Sequence, residues 1–313
     1  MDKPWLSLII PYHLAYGADF ERALSSVYTQ IGVDLKQVEV ITVNDGGPAL
    51  PQTLAKRWPL QQVTLARSMG AGVARQAGID HAHGDYVMFL DADDMLASPM
   101  VLHAFLAACA DRPDVILAPF WGETRTGDGV AYDLRSALDV ASVDAKAYRR
   151  GYLDELGLTF HPKLRVYEDV YFVSLALAFT QKTVTLTTPA FVWRLNWQST
   201  GRRNGFAMVA DGAMWVRSGR YQLQFLKAHH AKRWAHDFYE LLANIYSHMQ
   251  QYPPQDPQAV AAEVQQLLQE NQHWWHLPRV KPLIRELARQ KAQAQHLDLA
   301  GIDAYLNYLE ELA

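Results

Sequence analysis

Cys109 is the only cysteine in 313 residues, so no disulfide can close within the chain. Its setting, Phe-Leu-Ala-Ala-Cys-Ala, suits an inward helix face, and a reducing compartment suits the chain. Long apolar runs are also missing. No stretch reaches the ~18–20 apolar residues of a bilayer span. The opening Met-Asp-Lys-Pro-Trp lacks the basic start and apolar run of a secretory leader. A cytoplasmic location is the expectation. Charge of one sign is scarce as well. Lys and Arg number 29 against 33 Asp and Glu, a formal net charge of -4, with no general pull toward nucleic acid or acidic lipid. Internal repeats are absent, and the only compositional bias is mild Gln enrichment near 250–272. With 50% hydrophobic and 20% charged residues, the chain has an ordinary globular balance and room for one large domain or two medium ones.

Within the first ~120 residues, strand-like and helix-like stretches alternate. Leu6–Ile10, Val38–Val43, Val63–Ala66, Tyr86–Leu90 and Val115–Ala118 read as strands. Helical spacing fills Asp19–Gln30, Pro51–Arg57, Gly72–Ala82 and Pro99–Ala110. Such a rhythm predicts an α/β fold, a doubly wound and mostly parallel sheet with helices on both faces. Residues 120–200 are less regular, with turn signals at Gly127–Gly129, a helix at Asp169–Phe179 and a β-rich stretch at Thr183–Trp193. After about Gly205 glycine becomes scarce, and prolines punctuate four or five helices. The expected division is a nucleotide-type α/β domain over 1–205 and an α-helical C-terminal domain over 206–313.

The richest stretch is Asp85-Tyr-Val-Met-Phe-Leu-Asp91-Ala-Asp93-Asp94. A buried strand here delivers three carboxylates to one point, and like charges so crowded repel unless neutralised. A hard divalent cation, Mg²⁺ or Mn²⁺, would neutralise them and complete its shell with water and substrate phosphates. Plain turn solvation before a helix capped by Ser98-Pro99 explains the same acidity less specifically. A calcium EF-hand is excluded, because Met95 stands where a ligand is needed and Leu96 where the loop needs glycine.

In an open α/β sheet, ligands sit at the carboxyl ends of the strands, where strand order reverses. Pro11-Tyr12 follows the first strand, Asn44-Asp45-Gly46-Gly47 the second, and the aspartates the fourth. Gly70 and Gly72 open a helix, but Arg75 occupies the third glycine position of a dinucleotide fingerprint, which therefore fails. A glycine-rich helix start with an Arg one turn in suits a nucleotide phosphate or base edge. Glu168-Asp169 begins another helix, where Asp169 reads either as a helix cap or as a base in a semi-dry pocket.

Taken in order, Pro11-Tyr12, Asn44-Asp45-Gly46, Gly70-x-Gly-x-x-x-Arg75-x-x-Gly78, Gly84-Asp85-Tyr-x-x-Phe-Leu-Asp91-x-Asp93-Asp94 and Glu168-Asp169-x-x-Phe172 resemble family 2 glycosyltransferases of the GT-A fold. The likeness covers about residues 5–200. Asn44 departs from it, standing where the family usually has an Asp. The resemblance implies metal-dependent, inverting transfer of a sugar from a nucleotide diphosphate donor, most often a UDP-sugar. It implies that Asp45 and Arg75 hold the nucleobase beside the backbone at Pro11 and Tyr12. Asp93 would ligate Mn²⁺ or Mg²⁺, with Asp91 binding nearby or contacting the ribose. Asp169 would be the base and Glu168 its orienting partner. A non-catalytic nucleotide-sugar binder, a nucleotide-sugar hydrolase and a nucleotidyltransferase are the alternatives.

Downstream, Phe191-Val-Trp193-Arg194 through Arg202-Arg203 reads as a lid. Arg194, Arg202 or Arg203 would close on the diphosphate with Ser199 as an extra donor, and Trp193 and Trp197 would stack on sugar rings. The plainer alternative packs both tryptophans in a domain interface and leaves the arginines in solvent. From Arg202 to His236, seven Lys and Arg stand against Asp211 alone. That excess suits an anionic glycan, polymer or lipid-linked acceptor, or the inner membrane face, with nucleic acid a weaker candidate. A solvated or ion-paired helix face is the plainer reading. His229, His230 and His236 lack the i, i+4 spacing of a zinc site. Trp274-Trp275 and Tyr305 to Leu312 fit either a core or a homo-oligomer interface.

Overall fold

The computed structural model describes residues 3–14, 17–127, 129–196 and 211–313, and divides into two compact units, Met1–Asn196 and Trp197–Ala313. In the first unit, β1 (Leu6–Tyr12) is buried along its whole length. It pairs in parallel with β2 (Val38–Asn44) on one side and β4 (Tyr86–Phe89) on the other. Strand β3 (Gln61–Thr64) adds to β2, two residues earlier in the chain than its apolar run suggests. Beyond β4 lie β9 (Lys146–Arg149), β6 (Val115–Leu117) and β10 (Thr183–Thr185), giving the order β10-β6-β9-β4-β1-β2-β3. Only β9 runs against its neighbours. Strand order reverses between β1 and β4, so the ligand crevice of such a sheet lies where Tyr12 ends one strand and Asp91 follows the other.

A second sheet, β5-β11-β7-β8, occupies part of the irregular stretch of sequence. Strands β7 (Phe120–Thr126) and β8 (Gly129–Arg135) form a hairpin at the Gly127–Gly129 turn signal. Strand β11 (Phe191–Trp193) lies between β7 and β5 (Met95–Leu96). Periodicity concealed this sheet because its strands are short or largely exposed.

Helices α1 (Gly17–Tyr28), α2 (Gln52–Arg57), α3 (Ala71–Asp80), α4 (Val101–Cys109), α5 (Arg150–Leu156) and α6 (Glu168–Phe179) complete the unit. Helix α4 starts two residues later than Ser98-Pro99 predicts, with Met100 at its N-cap. On one side of the main sheet, Phe20, Leu24 and Val27 of α1 and Phe105 of α4 join Leu8, Ile10 and Met88 in a continuous core. Phe172 stacks on Phe160 at 4.1 Å and meets Phe89 and Tyr148 edge-on. This aromatic cluster fixes α6 one turn beyond Glu168 and Asp169, so it sets where those carboxylates stand.

The second unit is helical, with α7 (Gly212–Ala228), α8 (Trp234–Gln251), α9 (Pro257–Glu270), α10 (Gln272–Trp275), α11 (Val280–Ala294) and α12 (Ile302–Leu312). The four or five helices expected become six among the described residues. Asp211 and Asp256 cap α7 and α9 through the Met214 and Ala259 N–H groups, both at 3.0 Å. Phe238, Leu242, Ile245, Val264, Leu267, Ile284 and Leu309 are fully buried, and Trp275, Tyr305 and Leu306 are buried too. No described helix is long and apolar enough to cross a membrane.

Candidate active site

Three loops meet at the ends of β1, β2 and β3. Asn44 holds its own turn, accepting from the Gly47 N–H at 2.7 Å and donating to the Gly47 and Pro48 carbonyls. Only an amide both donates and accepts in this way, which accounts for Asn in place of the expected Asp. Gly46 has φ +65, and a Cβ on Gly47 would lie 1.5 Å from the His13 carbonyl oxygen. Both positions require glycine. Pro11 and Tyr12 are the last residues of β1 rather than a following loop, and the Tyr12 ring packs edge-on against Phe20. What Tyr12 offers the turn is its carbonyl, which accepts from the Asp45 N–H at 2.7 Å.

Asp45 is buried, and its carboxylate organises the start of α3. It accepts from Ser68 Oγ (2.8 Å), Met69 N–H (2.7 Å) and Gly70 N–H (2.9 Å). Arg75, one turn along α3, is enclosed. Its guanidinium donates to Asp91 at 2.7 Å and to Glu168 at 3.0 Å, while Nε is buried without a partner. Sequence placed Arg75 at a nucleobase beside Asp45; here it bridges the aspartate cluster to α6. Burial alone would lower its pKa, but Asp91, Glu168, Asp144 and Asp169 together raise it.

Asp91, Asp93 and Asp94 each offer an oxygen within 4.8 Å of the others. Asp93 accepts from Asn196 Nδ2 at 2.8 Å, and Asp94 from the Arg194 backbone N–H at 2.7 Å. Asp94 is buried, and its Oδ2 has no hydrogen-bond partner among the described residues. Burial first, then Asp93 and Asp91, push its pKa well above the carboxylate range. An orphaned buried oxygen beside two further carboxylates fits a hard divalent cation.

At α6, Tyr167 adopts a left-handed conformation with φ 60 just before Glu168. Strain of this kind collects at functional sites. The half-buried Asp169 has its pKa pushed up to about 8, by burial first and then by Glu168 and Asp91, against the pull of Arg75 and the Val170 N–H. Glu168 is raised by burial and restrained by Arg75. Asp144 and Lys146, just before and at the start of β9, share this field. Neither stood out in the sequence, because the short antiparallel strand that carries them lacks a period. Arg194 does not stand alone: its guanidinium reaches Asp19 at 3.0 Å and Glu123 at 3.7 Å. Ser199, Trp197, Arg202 and Arg203 lie outside the described residues.

A mostly parallel sheet with an acidic triad following β4 at its switch point, and a Glu-Asp pair opening α6, is the architecture of the GT-A type. The model of the family described as "Glycosyl transferase family 2" matches residues 7–169. The chain belongs to that family and is a glycosyltransferase. It is 36% identical over 114 residues to the uncharacterized glycosyltransferase YibD of Escherichia coli, covering 35% of this chain and about a third (32%) of that relative. It is 25% identical over 259 residues to the putative glycosyltransferase EpsH of Bacillus subtilis, covering 72% of this chain and 73% of EpsH. The crystal structure of S. aureus TarS 1–349 in complex with UDP-GlcNAc is similar in fold, with a TM-score of 0.70 and 18% identity over 97% of this chain and 90% of that one.

Proposed function

We propose that the chain is a metal-dependent, inverting glycosyltransferase that moves a sugar from a UDP-sugar to a hydroxyl of a glycan or polymer acceptor. The observation that carries this reading is the acidic triad, with its orphaned Asp94 oxygen, linked through Arg75 to the carboxylates of α6. The UDP-GlcNAc bound by TarS supports UDP as the nucleotide.

Asp45 and the backbone at Pro11 and Tyr12 would border the nucleobase, with the loop that Asp45 ties down at Ser68 to Gly70. Asp93 and Asp91, with Asp94 beside them, would hold Mn²⁺ or Mg²⁺, which when bound stabilises negative charge on the departing diphosphate. Arg75 keeps Asp91 and Glu168 in register. Asp169 takes the proton of the acceptor hydroxyl as that oxygen attacks the anomeric carbon from the face opposite the diphosphate. One C–O bond forms, the bond to the diphosphate breaks, and the configuration inverts. A raised pKa suits a base that works near neutral pH, and Glu168 orients it. Arg194, tied to Asp19 and Glu123, is assigned to the diphosphate side through its backbone bond to Asp94.

In this reading residues 1–205 are the catalytic domain and 206–313 meet the acceptor, a membrane surface or another copy of the chain. Of the basic stretch, Lys227 and Lys232 are exposed, whereas Arg217 and Arg220 pair with Glu263. Substituting Lys227, Lys232 and Arg233 together should weaken sedimentation with anionic vesicles; undiminished binding removes the membrane part.

The test of the whole is incubation with a panel of nucleotide sugars and Mn²⁺, following release of nucleoside diphosphate with and without acceptor glycans. Product of inverted anomeric configuration is expected, and Asp93→Ala should abolish metal-dependent donor binding. Release that needs no acceptor would favour a hydrolase. Binding of nucleotide sugars without any turnover would favour a sensor.

A further inference from the structure

Resting on the donor reading above, we propose that Asp144 binds a hydroxyl of the transferred sugar and so takes part in choosing the donor. Strand β9 runs against its neighbours, so its beginning lies where β4 and β6 end. Asp144 stands two residues before β9, and Ala145 between them has φ 58, a left-handed turn that ends the pairing with β4. Pairing toward β6 still holds there, because Ala118 N–H donates to the Ala145 carbonyl at 2.9 Å.

Asp144 is 4% exposed, and its Oδ1 is buried with no hydrogen-bond partner among the described residues. Native proteins pair almost all such atoms, so an unpaired one calls for a partner that arrives later. Among the described residues, Lys146 and Arg75 are the cations that act on Asp144, and both are already engaged. Lys146, fully buried, donates to the carbonyls of Asp139 at 2.9 Å and Ser142 at 2.6 Å, which braces the segment leading to Asp144. Arg75 is held by Asp91 and Glu168. A divalent ion already has Asp91, Asp93 and Asp94, more carboxylates than Mg²⁺ usually takes.

What is left is a neutral donor from the substrate. Asp144 feels the charges of both Asp91 and Asp169. In the proposed reaction the first stands at the leaving diphosphate and the second at the incoming hydroxyl. The sugar lies between those two, and its hydroxyls are the O–H groups available there. A site that pairs a buried acceptor with a substrate hydroxyl rejects donors that lack or invert that hydroxyl.

The experiment is calorimetric titration, with Mn²⁺ present, of wild type, Asp144→Ala and Asp144→Asn with UDP, UDP-glucose, UDP-galactose and UDP-GlcNAc. The quantity read is the ratio of each UDP-sugar's Kd to that of UDP. Asp144→Ala should raise that ratio roughly 10- to 100-fold for the sugar wild type prefers, the cost of leaving a buried sugar hydroxyl without its partner. UDP itself should bind about as well as to wild type, because it has no sugar hydroxyl at that position. Asp144→Asn fills the same space and should reorder the preference among the sugars. Unchanged ratios in both variants, or equal loss of UDP and UDP-sugars, would overturn the assignment. Wild type that binds neither UDP nor any UDP-sugar would instead remove the donor reading itself, and this inference with it.

Discussion

The two units bury carboxylates in opposite ways. In the helical unit Glu263 is 7% exposed and fully engaged, one oxygen with Arg217 and the other with Arg220. Arg220 pairs again with Glu270 at 2.7 Å. In the α/β unit Asp94 and Asp144 are at least as buried, yet each keeps an oxygen without a partner among the described residues. Six carboxylates, Asp91, Asp93, Asp94, Asp144, Glu168 and Asp169, share a neighbourhood whose enclosed guanidinium is that of Arg75. Paired charge makes a stable contact between helices. Carboxylates buried with an unpaired oxygen cost stability, and they suit the cation and substrate site proposed above.

Removing a carboxylate should therefore have different consequences on the two sides. Asp169→Asn should lower the transfer rate by roughly 10²–10⁴-fold while leaving donor binding intact and thermal stability undiminished, as titration and calorimetry would show. A variant that transfers normally would strip Asp169 of its role as base. Glu263→Ala should do the reverse. It leaves Arg217 without its carboxylate and Arg220 with Glu270 alone, and a broken buried ion pair costs up to about 3–5 kcal/mol, read as a drop in denaturation midpoint. If Glu263→Ala unfolds like wild type, the contrast between the units is wrong.

Metal and pH sharpen the same contrast. The folded-state pKa of Asp169 lies near 8, above its ordinary value, and Asp94 and Asp144 are raised as well. A raised carboxylate pKa contributes stability that is complete in acid and is lost as pH climbs through the folded value. Metal-free protein should therefore melt at lower temperature at pH 8.5 than at pH 6. Mg²⁺ or Mn²⁺ should restore stability mostly at the higher pH, by about 2.7 kcal/mol at a hundredfold excess over Kd. Turnover, which needs Asp169 ionised, should rise over the same interval. Melting temperatures independent of pH and metal would show that the acidic cluster holds no ion. The smallest effect belongs to the exposed edge of the helical unit. Lys232→Glu should change stability by less than ~0.5 kcal/mol, and a larger loss would mean that the basic stretch is structural.

Strands built from continuous apolar runs, such as Leu6–Tyr12 and Tyr86–Phe89, were legible because their burial is written in composition. So were Asp45, Asp91, Asp93, Asp94, Glu168 and Asp169, each placed at the end of such a strand or the start of a helix. The hairpin of β7 and β8 and the antiparallel β9 were not legible. Short strands carry too few alternations to show a period, and their direction is set by pairing with distant neighbours. The helical unit was read correctly as helical, but the partners of its arginines were not. Arg217 and Arg220 lie 46 and 43 residues from the glutamate that neutralises them.

The amino-acid order by itself determined the class: an α/β sheet with carboxylates at its strand ends, then helices. Local patterns of apolar and acidic residues suffice for that, because strand ends and helix starts are local events. Which charges are satisfied was decided only in three dimensions. Arg75 turns to Asp91 and Glu168, Asp144 comes within the field of Asp91 from the bend before a reversed strand, and Asp94 is closed off from water. Electrostatic energy depends on distance through space and on desolvation, and neither is a property of neighbours along the chain.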